Sequence, residues 1–206
     1  PVLVPNKNAT IIEALLLYGE LSRKNMKKYI EKAMQVIIKA QVQEGPAKGG
    51  IIHKGTFKHQ IVFGIYTARV TSALLKLNKY YPDKSILEVC KGTIKFLINL
   101  INEKGTYLGY YKNGKMIKNP IWISPSGDFI RAFVLAEQSG ISVDKSKKDQ
   151  LIKAIKNGQL ENGGIKTAYG FAVKGSTKDY TGPEEERDVL PVVGWCDKVL
   201  RGLSLL

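Results

Sequence analysis

An apolar block that recurs at a fixed interval restricts this chain to a repeat architecture. Residues 129–137 read Phe-Ile-Arg-Ala-Phe-Val-Leu-Ala-Glu. Echoes stand at 12–17 (Ile-Glu-Ala-Leu-Leu-Leu), 71–75 (Thr-Ser-Ala-Leu-Leu) and 200–205 (Leu-Arg-Gly-Leu-Ser-Leu). Aligning the small residue superposes Ala14, Ala73, Ala132 and Gly202, at intervals of 59, 59 and 70 residues. A unit of that length buries its apolar face only by stacking on its neighbours. A small residue at one register lets the stacked helices approach closely. These four positions are expected to be buried equivalently.

The hydrophobic period predicts helices over 9–21, 25–43, 61–80, 84–103 and 144–159, one from Ser126 or Asp128 to Gly140, and one from Pro191 to the end of the sequence. Asn6 or Asn8 is a capping candidate for the first, and Ser126 or Asp128 for the fifth. The third is apolar on several sides, as an inner helix would be, whereas the second and fourth are amphipathic. Odd helices end in short turns. Even helices end in long segments rich in glycine and aromatics, at 44–60, 104–124 and 161–190. Within the second of these, Lys112-Asn113-Gly114-Lys115 is a hairpin turn between two short strands. The expected fold is mostly α: helical hairpins repeated about three and a half times in an arc, odd helices inside and even ones outside. Small β-hairpins gather on one elaborated edge, where sites usually lie.

Length and charge bound the rest. The 206 residues suit a single helical-repeat domain, 1–206, with a sizeable core. The start at Pro1 and the apolar helical pattern running to Leu206 are expected of a piece of a longer protein. No run approaches the ~18 apolar residues of a membrane span. With 32 basic and 18 acidic residues the net charge is +14. That favours a polyanionic partner: nucleic acid, anionic lipid or acidic polysaccharide. The lysines are scattered, so solvated helix faces explain them equally well. Cys90 and Cys196 lack a metal spacing, and no metal or cofactor is expected. Asn8-Ala9-Thr10 fits the glycosylation acceptor pattern.

Each outer helix is followed by a Glu–Gly element: Gln43-Glu44-Gly45 with Gly49-Gly50-Ile51, Asn102-Glu103-Lys104-Gly105-Thr106-Tyr107, and Leu160-Glu161-Asn162-Gly163-Gly164-Ile165. With the 59-residue period, this resembles the α/α-toroid superfamily of terpenoid-cyclase and prenyltransferase repeats, six-hairpin glycosidases and toroidal polysaccharide lyases. The cyclase-type repeat carries an aromatic where Ile51 and Ile165 stand. Neither an Asp-rich motif nor a zinc set is present, which argues against isoprenoid chemistry. A full toroid of that superfamily has about six hairpins, so this chain would form an open arc or part of a longer ring.

Counting back from the aligned small residues brings Tyr66, Arg69, Asp128, Arg131, Trp195, Asp197 and Lys198 to the loop-side ends of the inner helices. The loops add His53, His59, Tyr107, Tyr110, Tyr111, Trp122 and Tyr169. Aromatics with arginines suit an acidic polysaccharide, since rings stack on sugar faces and Arg pairs with uronate carboxylates. Tyr66, Arg69, Tyr110, Trp122, Arg131 and Trp195 are the candidate binding residues. A toroidal lyase, by resemblance, would use a Tyr or His base: His53, His59, Tyr107 or Tyr169. A hydrolase would need two carboxylates, for which Asp128 and Asp197 are the candidates. Asp128 suits a helix cap equally well. Three functions stand open: a carbohydrate-active or carbohydrate-binding domain, a scaffold domain of a larger surface or secreted protein, and a basic nucleic-acid-binding repeat.

Overall fold

The computed structural model describes residues 4–54, 60–178, 180, 182 and 185–206. Three helical hairpins come first: α1 (Pro5–Ser22) with α2 (Lys27–Lys39), α3 (Gly64–Tyr80) with α4 (Lys84–Leu100), and α5 (Gly127–Gln138) with α6 (Lys145–Asn157). After the four-residue α7 (Glu186–Val189) comes a lone α8 (Val193–Leu203). Helix α3 packs on α1 and α4, α5 on α3 and α6, and α8 on α5. The inner row is therefore α1–α3–α5–α8, with α2, α4 and α6 outside it.

Local chemistry moved several helix ends from where the pattern placed them. Neither Asn6 nor Asn8 caps α1. The helix opens with Pro5 in its first turn, where the missing N–H costs nothing. Helix α2 stops at Lys39 because the chain then bridges back on itself, Gln41 opposite Ile51, through left-handed Gly45 and Gly49. Asp83 and Asp144 cap α4 and α6, accepting from the backbone N–H groups of Ser85 and Lys147. The last inner helix begins at Val193, two residues beyond Pro191.

The repeat register explains how the row stacks. One face of each inner helix looks to the next: Ala9 and Ile12 on α1, Ala68 and Thr71 on α3, Gly127 and Ile130 on α5, all buried. The opposite face looks back: Val70, Ala73 and Leu77 on α3, Phe129, Ala132 and Ala136 on α5, Val199 and Gly202 on α8, again buried. The closest approach is between α5 and α8. A Cβ at Gly202 would lie 2.6 Å from the Gly127 carbonyl oxygen, and one at Gly127 would lie 2.5 Å from the Lys198 backbone. The expectation of four equivalently buried small residues fails at Ala14, which is exposed. Helix α1 is first in the row, so among the described residues no inner helix covers its backward face.

The long loops gather through their strands. β1 (Ile52–Lys54), β2 (Ile61–Phe63), β3 (Tyr110–Lys112) and β4 (Lys115–Ile117) form one antiparallel sheet in that order. It joins loop 44–60 to loop 104–124. β5 (Ile121–Trp122) pairs with β6 (Ala168–Tyr169), joining loop 104–124 to loop 161–190. Asp188 secures the last loop: buried, it accepts from the Gly170, Phe171 and Glu185 backbone N–H groups.

Candidate functional site

Inner helices buried on both sides still carry a polar stripe. At the 59- and 70-residue intervals Thr10, Arg69, Asp128 and Lys198 are equivalent, and so are Glu13, Ser72, Arg131 and Arg201. Side chains seven residues apart share a helical face. Lys76, seven on from Arg69, therefore continues the stripe below it, and Arg201, three on from Lys198, continues it on α8. A cavity of about 950 Å³ opens along this stripe, lined among others by Glu13, Lys76, Arg131 and Arg201. It lies toward the short-turn ends of the inner helices, whereas the sequence pointed to the loop edge.

The loop end of the stripe is a cluster around Arg69. Its Nε donates to Asp128 Oδ2 at 2.8 Å, across the α3–α5 boundary. Its guanidinium stands 5.5 Å from the Tyr66 ring centre and 5.6 Å from that of Trp195. Lys198 Nζ is 4.5 Å from the same Trp195 ring. His53, on β1, stacks on Tyr66 with ring centres 3.8 Å apart. Trp122 stands 6.4 Å from Trp195 and meets Phe171 edge-on. Arg187 in turn faces the Phe171 ring. Tyr110 lies to the side, against Phe63. Tyr169 is half-buried on β6. His59 lies outside the described residues.

One turn deeper, Arg131 Nη2 donates to Glu13 Oε1 at 2.7 Å, and Lys76 Nζ reaches the same oxygen at 2.8 Å. Sequence inspection missed Glu13 and Lys76. The available signal was their place on the polar stripe of an otherwise apolar inner helix.

The candidate carboxylates and bases do not assemble as expected. Asp128 caps nothing; its carboxylate turns to Arg69 instead. Asp197 is exposed and bound to Arg201 at 2.9 Å. Its repeat equivalent is Gly127, so it projects from the forward face of α8 and not from the polar stripe. The two carboxylates thus stand on different helical faces. Tyr107 is fully buried and stacked on Phe129, and its hydroxyl has no hydrogen-bond partner among the described residues. Burial, then the nearby Asp128 charge, pushes that hydroxyl well above the usual tyrosine range. It is out of reach of a polysaccharide and disfavoured as a base.

Electrostatically the cluster is short of negative charge. Burial raises the Asp128 carboxyl above its ordinary value, and the opposing pull of Arg69, then Lys198 and Arg131, does not fully offset this. Burial and the adjacent Arg69 charge lower the Lys198 ammonium, more than Asp128 and Asp197 restore it. Two cations thus crowd one buried carboxylate.

No protein-family model matches the chain, and no curated protein matches it. Among solved structures it is similar to an α-mannanase of glycoside hydrolase family 76 from Bacteroides thetaiotaomicron, with a TM-score of 0.63 at 16% sequence identity. The match covers 81% of this chain and 48% of that enzyme, so the chain spans about half its length. The likeness is one of fold: the chain is an α/α-toroid arc of helical hairpins.

Proposed function

We propose that this protein is a glycan-recognition domain that takes an acidic polysaccharide along the inner-helix stripe, its cations pairing with sugar carboxylates. The carrying observation is the crowding of Arg69 and Lys198 against the Trp195 ring with one buried carboxylate between them. An incoming carboxylate relieves that repulsion and displaces little, since both cations are already held in place by the ring. The nearest aromatic faces are taken: Tyr66 by His53, and Trp195 by Arg69 and Lys198. Recognition then rests on charge more than on sugar stacking, which favours a uronate over a neutral sugar. Farther along the stripe Glu13 already bridges Lys76 and Arg131, a geometry that a ligand carboxylate would reproduce. The fold shared with an α-mannanase supports a polysaccharide as the ligand class.

Binding does not need the paired carboxylates of a hydrolase. The test is a titration at matched ionic strength with a polyuronate, a neutral mannan and single-stranded DNA. Tightest binding to the polyuronate is expected. Preference for mannan overturns the acidic ligand, and preference for DNA overturns the glycan. A rise in ultraviolet absorbance on mixing with polyuronate, from the conjugated double bond that elimination leaves, would add lyase activity to the binding role.

A further inference from the structure

Charge is spread unevenly along the sequence, and the four-stranded sheet falls where acids are missing. No Asp or Glu occurs in 45–82 or in 104–127, the segments that supply β1 to β4. Elsewhere many cations find carboxylates, as Lys91 does in Glu88, Lys148 in Glu137 and Arg187 in Glu185. On the sheet, Lys112 and Lys115 are exposed and have no ion-pair partner among the described residues. The register sets them directly opposite each other across the turn Asn113-Gly114, whose two residues both have positive φ. Like charges so paired destabilise a hairpin. Lysine on an edge strand guards against sheet extension, which accounts for Lys115 on β4 but not for Lys112 on β3, an interior strand.

The two faces of this sheet differ. Val62, Tyr111 and Met116 stand opposite one another and turn to the core, Tyr111 meeting Phe96 of α4. Alternation puts Phe63, Tyr110 and Ile117 on the other face, with Lys112 and Lys115 two residues along. There Tyr110 leans on Phe63, ring centres 4.9 Å apart, and stays half-exposed. Phe63 meets Tyr66 edge-on, and the Arg69 guanidinium stands over Tyr66. The face thus continues from the loop end of the stripe. We propose that it is a second subsite for the acidic polysaccharide: Tyr110 stacks on a sugar ring, and the Lys112–Lys115 pair holds a carboxylate of the same glycan chain. This rests on the reading of the stripe as the glycan site. The opposed ammonium groups take one anion between them, which relieves their repulsion. Tyr110 supplies the stacking surface that the stripe lacks, where the rings are already occupied.

The test is calorimetric titration with polygalacturonate at fixed ionic strength. It compares the native chain with Lys112→Gln/Lys115→Gln on the sheet, Lys198→Gln on the stripe, and Lys28→Gln/Lys32→Gln, two exposed lysines of α2, as a charge-matched control. The sheet variant is expected to bind about threefold or more weakly, while the α2 control keeps native affinity. Tyr110→Phe retains the ring and the affinity, whereas Tyr110→Ala loses about threefold or more. If Lys198→Gln weakens binding and neither the lysine nor the Tyr110 changes do, the sheet subsite is overturned and the stripe reading stands. If the native chain does not bind polygalacturonate, the stripe reading fails and the sheet subsite with it. An equal loss in the α2 control reduces the effect to net charge and overturns the subsite. Tighter binding of single-stranded DNA, weakened by the sheet variant, gives the face to nucleic acid and overturns the glycan.

Discussion

Arg69 and Asp128 form the contact on which the loop end of the stripe depends. Asp128 is 4% exposed, so its charge is tolerated only because Arg69 faces it. Arg69→Ala is expected to destabilise the fold by about 3 kcal/mol, the cost of leaving a buried carboxylate unpaired, measured by urea denaturation. The pH dependence has a definite sign. The folded carboxyl lies above its ordinary 3.8 because burial outweighs the ion pair. Stability from this group is therefore full below 3.8 and is lost as pH rises through the raised value. Asp128→Asn cannot ionise and lacks that decline. Melting temperatures across acidic pH should show the native protein losing ground to the variant as pH rises; a constant difference would mean the carboxyl is not shifted upward. The sequence did mark these two residues, since they stand 59 apart at equivalent levels of neighbouring helices. It misled at Asp197, one residue before Lys198. One residue turns a helix by roughly 100°, so level along the axis was legible while the face was not.

At the level of elements, the apolar period placed the seven longer helices and their inner and outer roles. The ends shifted where turn chemistry competed, as at Lys39 and Val193. The aromatics of the loops were harder to place. Their positions depend on strand pairings between segments far apart in sequence, such as β2 with β3 and β5 with β6. No local signal encodes those partners. The small residues of the aligned register set how closely inner helices pack, and α5 with α8 is the extreme case. Gly127 has helical φ, so space and not backbone freedom selects glycine there. Gly127→Ala would push α8 away from α5 and cost about 1–3 kcal/mol, as overpacking does. Because Trp195 sits on α8 beside Arg69, its fluorescence should shift with the lost contact. An unchanged stability and spectrum would show that the α5–α8 contact yields more easily than its geometry implies.

Across the molecule, the repeat accounts for the stripe. Stacking buries the forward and backward faces of α3 and α5 and spares the narrow surface carrying Arg69, Lys76, Asp128 and Arg131, which Lys198 continues on α8. Most charged residues of α3 and α5 fall there, so several cations of a +14 chain share one stripe, and Lys76, Arg131 and Arg201 line its cavity. The net charge was evident from composition. Its collection on the inner helices was not, because most lysines do lie on solvated outer faces. The central claim is that these cations read sugar carboxylates. It is tested most directly by calorimetric titration with one polyuronate before and after chemical reduction of its carboxyl groups to neutral alcohols, at equal chain length and ionic strength. The account predicts that reduction weakens binding about tenfold or more, the loss of one or more charge-assisted pairs. Equal affinity for the two polymers would contradict it.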